Sequence, residues 1–239
     1  MAAVNKLVVP KSWTKNKQVR VDWLRQFMKR RKNLNIRQPE ACSLSRVTSF
    51  NPHNVKLFFD HLRQVLEKKP QLADPSRIFN LDETGTSTVQ KPRKIVAEKG
   101  SKQVSQCSNA ERGTLVTTCA IICANGTYLP PPMVFPRKYF KTHMVAGAPP
   151  GTLGLATPDG WMTAELFSDV LDHFIKYSYS TPDHPSLLVY DNHESHISVA
   201  VVEKARAAGV TILTLPPHCS HKMQPLDISV FGPFKTHYN

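Results

Sequence analysis

A chain of 239 residues with 41% hydrophobic residues can pack one full α/β domain and a small appendage, and no apolar run approaches the roughly 20 residues that a membrane span requires. The net charge of +13 is unevenly placed. Residues 1–77 hold 17 Lys and Arg against 5 Asp and Glu, an excess of 12, whereas residues 78–239 hold 14 against 13. A basic module joined to a near-neutral one argues against a merely solubilising charge and for an arm that meets a polyanion. Five cysteines (Cys42, Cys107, Cys119, Cys123, Cys219) form no CxxC pair, which argues against a disulfide framework or a thiolate zinc site. The opening MAAVNKLVVP lacks the apolar run and cleavage site of a secretory signal, so a soluble intracellular protein is expected.

In residues 19–34, VRVDWLRQFMKRRKNL, Trp23, Leu24, Phe27 and Met28 recur at helical spacing, while Arg25, Lys29, Arg30 and Lys32 hold the remaining surface. Such a helix can pack one side on a small core and offer the other to phosphates. A membrane-surface or calmodulin-type helix carries the same signature, but the basic excess favours nucleic acid. A second helix is predicted from Asn51, its N-cap, and Pro52, its first residue, with Val55, Phe58, Phe59, Leu62, Val65 and Leu66 recurring at three and four. Lys68, Lys69 and Pro70 close it, and it is expected to connect arm and body.

From residue 78 short apolar runs alternate with turns. Ile78–Leu81 predicts a strand running into Asp82, Leu115–Cys123 a second, and Tyr128–Phe135 a third broken by Pro130 to Pro132. Asn125-Gly126 between the last two signals a hairpin, because both residues tolerate positive φ. Residues 163–177 predict an amphipathic helix, Leu187–Tyr190 a buried strand ending at Asp191, Ile197–Ala208 a helix closed by Gly209, and Val210–Leu215 a last strand. That order suggests a mixed sheet with helices packed on it.

Asp82 follows IFNL and Asp191 follows LLVY. At the carboxyl ends of neighbouring strands such side chains converge on one crevice. Clustered carboxylates suit Mg²⁺ or Mn²⁺, and two such ions can promote phosphodiester cleavage. An Asp at a strand end is often a turn or cap residue, so Asp82 alone is weak evidence and this pattern leaves both readings open.

The segments NLDETG (80–85), SNAERG (108–113), GWMTAELF (160–167), LLVYDNHESH (187–196) and LPPHCSHKMQPLDISVFGPFK (215–235) closely resemble the DDE transposases of the pogo, Tigger and jerky group, which includes relatives of centromere protein B. Residues 10–46 look like the later part of that group's second helix-turn-helix unit, although Val19 and Arg20 stand where a small Ala-Gly pair usually precedes the DWL motif. The resemblance implies an α/β, RNase H-like mixed sheet with flanking helices, preceded by a small all-α segment. It implies three divisions: a partial helix-turn-helix over 1–50, a connecting helix over 51–77, and a DDE endonuclease domain over 78–239 that is C-terminally short.

The same resemblance matches the three catalytic and metal-binding aspartates to Asp82, Asp191 and Asp227, with 35 residues between the last two. Two Mg²⁺ or Mn²⁺ ions are the implied cofactors, Asp82 bridging both. Double-stranded DNA is the implied partner, contacted through Arg25, Lys29, Arg30 and Lys32, with no membrane, a nuclear location, and room for a homodimer. Glu83 is expected on the opposite side of the strand end, behind the ligands, and Asn192 and His193 are expected to orient Asp191. His193 and His196 lack HExxH spacing, and His218, Cys219 and His221 fall in a segment that the group uses as a loop to deliver the third aspartate. Against the group the chain starts partway into the DNA-binding region and stops twelve residues past Asp227. A transposase-type nuclease is the leading expectation; a host-adopted DNA-binding protein without cutting activity is the alternative.

Overall fold

A computed structural model describes residues 21–36, 43–89, 113–193 and 196–238, together with residues 13, 15 and 19. The chain divides into two compact units, Met1–Cys42 and Ser43–Asn239. Most of the SNAERG motif, the residues Glu194 and Ser195, and the cysteines Cys42 and Cys107 fall outside the described residues.

In the first unit, helix α1 spans Val21–Arg30, with Asp22 in its first turn and Lys29 and Arg30 in its last, each sign countering the helix dipole. Trp23 stacks on Phe27 at 5.1 Å between ring centroids and meets Trp13 edge-on at 5.3 Å. Arg25, Lys29, Arg30 and, beyond the helix, Lys32 are all exposed, and Arg25 pairs with Asp22 at 3.2 Å.

The second unit opens with α2 (Leu44–Ser49) and α3 (Pro52–Lys68). Asn51 caps α3 by accepting from the Asn54 N–H at 3.0 Å, and Pro52 occupies the first turn, as its fixed φ and missing N–H favour. Six strands follow: β1 Ile78–Ser87, β2 Leu115–Cys123, β3 Pro132–Pro136, β4 Leu153–Thr157, β5 Ser186–Tyr190 and β6 Val210–Thr214. They lie in the order β4-β3-β2-β1-β5-β6. β1–β2 and β2–β3 are antiparallel, while β3–β4, β1–β5 and β5–β6 are parallel. The sheet is thus mixed. The Asn125-Gly126 turn forms, with Gly126 at φ +91° donating to the Cys123 carbonyl at 3.0 Å and Asn125 Oδ1 accepting from the Thr127 N–H at 2.9 Å.

Helices cover both faces of the sheet. α4 (Ala164–Ser178), capped by Thr163, buries Phe167, Val170, Leu171 and Phe174 against Phe79, Leu81, Ile121, Val134 and Leu188. α5 (Val199–Ala207), capped by Ser198, adds Val201 and Ala205 to that core. On the other face Phe58, Leu62, Val65 and Leu66 of α3 pack on Leu72, Leu187 and Leu213. The neighbours Leu187 and Leu188 serve opposite cores because successive strand residues alternate faces.

The structure differs from the sequence reading at five points. Helix α3 belongs to the sheet's unit instead of bridging two parts, because its apolar stripe needs cover. Strand β1 runs on through Asp82 and Glu83 to Ser87, since β2 supplies hydrogen-bond partners along that whole polar stretch. Tyr128 makes only an isolated bridge to Ile122, the prolines delaying β3 to Pro132. Strand β4 was not anticipated, and the segment expected as a loop is helical: α6 (Ser220–Met223), a π-helical turn at Leu226–Val230, and α7 (Phe231–Tyr238).

Candidate active site

The site begins with strand register. β1 and β5 are neighbours and parallel, with Asn80 opposite Val189. The Asn80 amide reinforces the pairing by donating from Nδ2 to the Val189 carbonyl at 3.0 Å. Two residues beyond that pair, Asp82 continues β1 and Asp191 stands just past the end of β5, so the two parallel strands carry both carboxylates to the same end of the sheet.

These two residues line one cavity of about 270 Å³, together with Glu83, Gly85, Leu115, Thr117, Trp161, Met162, His193 and His196. Trp161 stands on its rim, 61% exposed. Its backbone is fixed: its N–H donates to Asp159 Oδ1 at 3.1 Å and its carbonyl accepts from Thr157 Oγ1 at 3.0 Å. Gly160 before it has φ +78° and accepts from Thr117 Oγ1 at 2.8 Å; a Cβ there would press on the Leu115 carbonyl at 3.1 Å.

Asp227 arrives from the π-helical turn. Gln224, fully buried, donates from Nε2 to the Leu81 carbonyl at 3.2 Å and so ties that segment to β1 one residue before Asp82. Buried Leu226 and Phe231 anchor the turn on either side. Asp227 itself remains exposed, yet its charge acts on Asp82. Burial pushes the Asp82 carboxyl up to about 8, and the charges of Asp227, Glu83 and Asp191 push in the same direction. Asp227 is also raised, by burial and by Asp191, with Lys235 and Arg46 opposing. Asp82 and Asp191 thus line the cavity, whereas Asp227 is not among its lining residues and reaches Asp82 through its charge.

Asp191 behaves differently because of His196. His196 is 97% buried as a side chain (3% exposed), and its Nδ1 lies 2.9 Å from Asp191 Oδ1 while its Nε2 lies 3.1 Å from Glu83 Oε1. The first contact is a hydrogen bond; the second is an ion pair less well aligned, and Glu83 Oε1 has no hydrogen-bond partner. Burial alone would lower the imidazole pKa, but the two carboxylates outweigh it and raise it to about 9. In return, burial raises Asp191 but the hydrogen bonds and charges of His196 and His193 together outweigh it, so its carboxyl is held below the usual range.

The other candidates separate. Glu83 borders the same cavity as Asp82 and is tied to His196, so it is not turned away from the site. His193 lines the cavity, and its backbone N–H donates to Asp191 Oδ1 at 3.3 Å. Asn192 instead lines a separate hollow with Asn54, Phe58, His61 and Pro216. Arg25, Lys29, Arg30 and Lys32 belong to the first unit, and the aspartates belong to the second. Gln224 was not singled out by the sequence, and His196 was weighed there only as a zinc ligand and set aside. Their only signals were a His five residues after Asp191 and a Gln three before Asp227.

The sequence model of a family described as "DDE superfamily endonuclease" matches residues 112–239, a span that holds Asp191 and Asp227 but not Asp82. Among solved structures, the Mos1 transposase paired-end complex with left transposon end is similar with a TM-score of 0.53 at 13% identity, over 89% of this chain and 56% of that one. A pre-cleavage Mos1 transpososome gives 0.55 at 14%, over 89% and 57%. The mariner Mos1 paired end complex with Mg gives 0.55 at 13%, over 95% and 63%. At such identities the likeness concerns the fold, which is RNase H-like. A curated protein, "MFS-type transporter clz9" of Cochliobolus lunatus, is 32% identical over 168 residues, which is 68% of this chain and 18% of that protein. The chain spans a little over half the length of the first solved relatives and less than a fifth of the curated one. Among the described residues no helix is long and apolar enough to cross a membrane.

Proposed function

Because the chain belongs to the DDE superfamily endonuclease family, we propose that it is a transposon-derived, metal-dependent nuclease that cleaves phosphodiester bonds in double-stranded DNA of the nucleus, with Asp82, Asp191 and Asp227 as its metal ligands. The observation that carries this reading is that Asp82 and Asp191 line one cavity, with the charge of Asp227 felt at Asp82. A carboxyl pushed to about 8 by burial and by three neighbouring carboxylates is one that a divalent cation would stabilise in its ionised form.

The donors fit that cation. They are carboxylate oxygens, suited to Mg²⁺ or Mn²⁺ rather than to a softer metal. Among the described residues no three ligating side chains are already drawn into a cage. Mg²⁺ requires none, since it takes one or two carboxylates and keeps water and substrate phosphate in the rest of its shell. A pair of such ions, when bound, would supply an activated water and stabilisation of the leaving oxygen.

The chain supplies the rest. His196 and the His193 N–H orient Asp191, Gln224 ties the segment that carries Asp227 to β1, and Trp161 walls the cavity. Arg46 and Lys235, close enough to act on Asp227, would meet the DNA backbone near the acids. The exposed cations of α1 would add affinity without reading sequence. Support also comes from the solved relatives, described as complexes with a transposon end, with Mn and with Mg.

The test is supercoiled plasmid incubated with the protein and Mn²⁺. Open circles should form, and should be abolished by EDTA and by Asp191→Ala. Nicking that persists in Asp191→Ala, or none in the unaltered protein, would contradict the proposal.

A further inference from the structure

We propose that His196 is a positioning residue that fixes which oxygen of Asp191 is offered to the cation. This rests on the nuclease reading above. Among the described residues both hydrogen bonds to the Asp191 carboxylate, from His196 Nδ1 at 2.9 Å and from the His193 backbone at 3.3 Å, fall on Oδ1. Neither bond uses Oδ2, which leaves it as the oxygen for a ligand.

The imidazole is itself held from several sides. Phe167 stacks on its ring at 4.4 Å, Tyr190 meets it edge-on at 5.7 Å, and the Tyr190 hydroxyl donates to the His196 carbonyl at 3.1 Å. Glu83 Oε1, 3.1 Å from Nε2, closes the far end. A ring gripped this way cannot swing to follow Asp191; Asp191 must conform to the ring. His196 thereby links β1, through Glu83, to the segment after β5, through Asp191. The link holds the carboxylate at the end of one strand in fixed relation to Asp82 on the next. Both nitrogens of His196 are engaged by carboxylates, so the residue acts on the metal through Asp191 and is not a ligand.

Two amide replacements separate positioning from packing. The Asn side-chain NH₂ in His196→Asn falls near Nδ1 and can still donate to Asp191. In His196→Gln it falls near Nε2 and reaches only Glu83. Thermal midpoints, Mn²⁺ affinity by calorimetry and plasmid nicking are measured for the unaltered protein and both variants. Both should melt at similarly reduced temperatures, while Mn²⁺ affinity falls about 10–100-fold in His196→Gln and stays close to the unaltered value in His196→Asn. Equal losses in the two, or the reverse order, would overturn the proposal. An unaltered protein that binds Mn²⁺ without nicking DNA would sink the nuclease reading and leave the affinity difference to decide on His196. One that binds no Mn²⁺ would overturn both. Should either variant unfold, NMR of ¹⁵N-histidine in the unaltered protein reads the same claim. A protonated Nδ1 whose resonance moves on Mg²⁺ addition supports it, and an unprotonated Nδ1 overturns it.

Discussion

His196 Nδ1 and Asp191 Oδ1 stand 2.9 Å apart, the imidazole almost wholly buried and the carboxylate a third exposed. His196→Ala would leave Glu83 and Asp191 without the cation between them. Removing one partner of a buried pair costs about 3–5 kcal/mol, and solvent at Asp191 reduces this to roughly 2 kcal/mol here. The sign with pH follows from the raised pKa of about 9. The stabilisation is complete below about 6.5, the unfolded value, and is lost as pH rises through about 9. Thermal melts of the two proteins should therefore differ most at pH 6 and converge above pH 9.

Asp82→Asn should behave in the opposite sense. The native carboxyl binds its proton up to about pH 8, whereas the unfolded chain releases it near pH 4. Between those values the unfolded state has fewer protons, so the metal-free protein loses stability as pH rises. Calorimetric scans in EDTA should show Asp82→Asn melting above the unaltered protein at pH 8 and level with it near pH 4. A deficit at pH 8 would mean that Asp82 is not strained by its neighbours.

The parts of this molecule that were legible in the sequence are those encoded locally. Asn51-Pro52 and Thr163 announce helix starts, Asn125-Gly126 announces a turn, and the apolar runs before Asp82 and Asp191 announce two strands. Strand β4, LGLAT, lacks alternation and holds Gly154; it exists because β3 offers a parallel edge along its whole length. The extension of β1 through Asp82 to Ser87 is likewise written in β2. The pairing of Glu83 with His196 links residues far apart in the chain, so no local pattern marks it. Asp227 sits on a helical turn because Leu226 and Phe231 are buried beside it, which the proline at Pro225 obscured.

Arg25, Lys29 and Arg30 of α1 and Lys32 just beyond it lie in the first unit, and all four are exposed. Arg25, Lys29, Arg30 and Lys32 replaced together by Gln should weaken duplex binding alike for unrelated sequences. Each phosphate contact removed lowers the slope of log affinity against log salt by about 0.9, so a loss of roughly 2–4 is expected. Fluorescence anisotropy at several salt concentrations measures it. An unchanged slope would assign DNA affinity to other residues.

Mn²⁺ titration by calorimetry across pH, on the unaltered protein and on Asp82→Asn, Asp191→Asn and Asp227→Asn, tests most directly whether the three aspartates form one metal site. Affinity should rise from pH 6 to pH 8 as the cation displaces the proton of Asp82. That rise should vanish in Asp82→Asn, and each of the other two replacements should weaken binding at pH 8. Binding that is independent of pH and survives all three replacements would contradict the account.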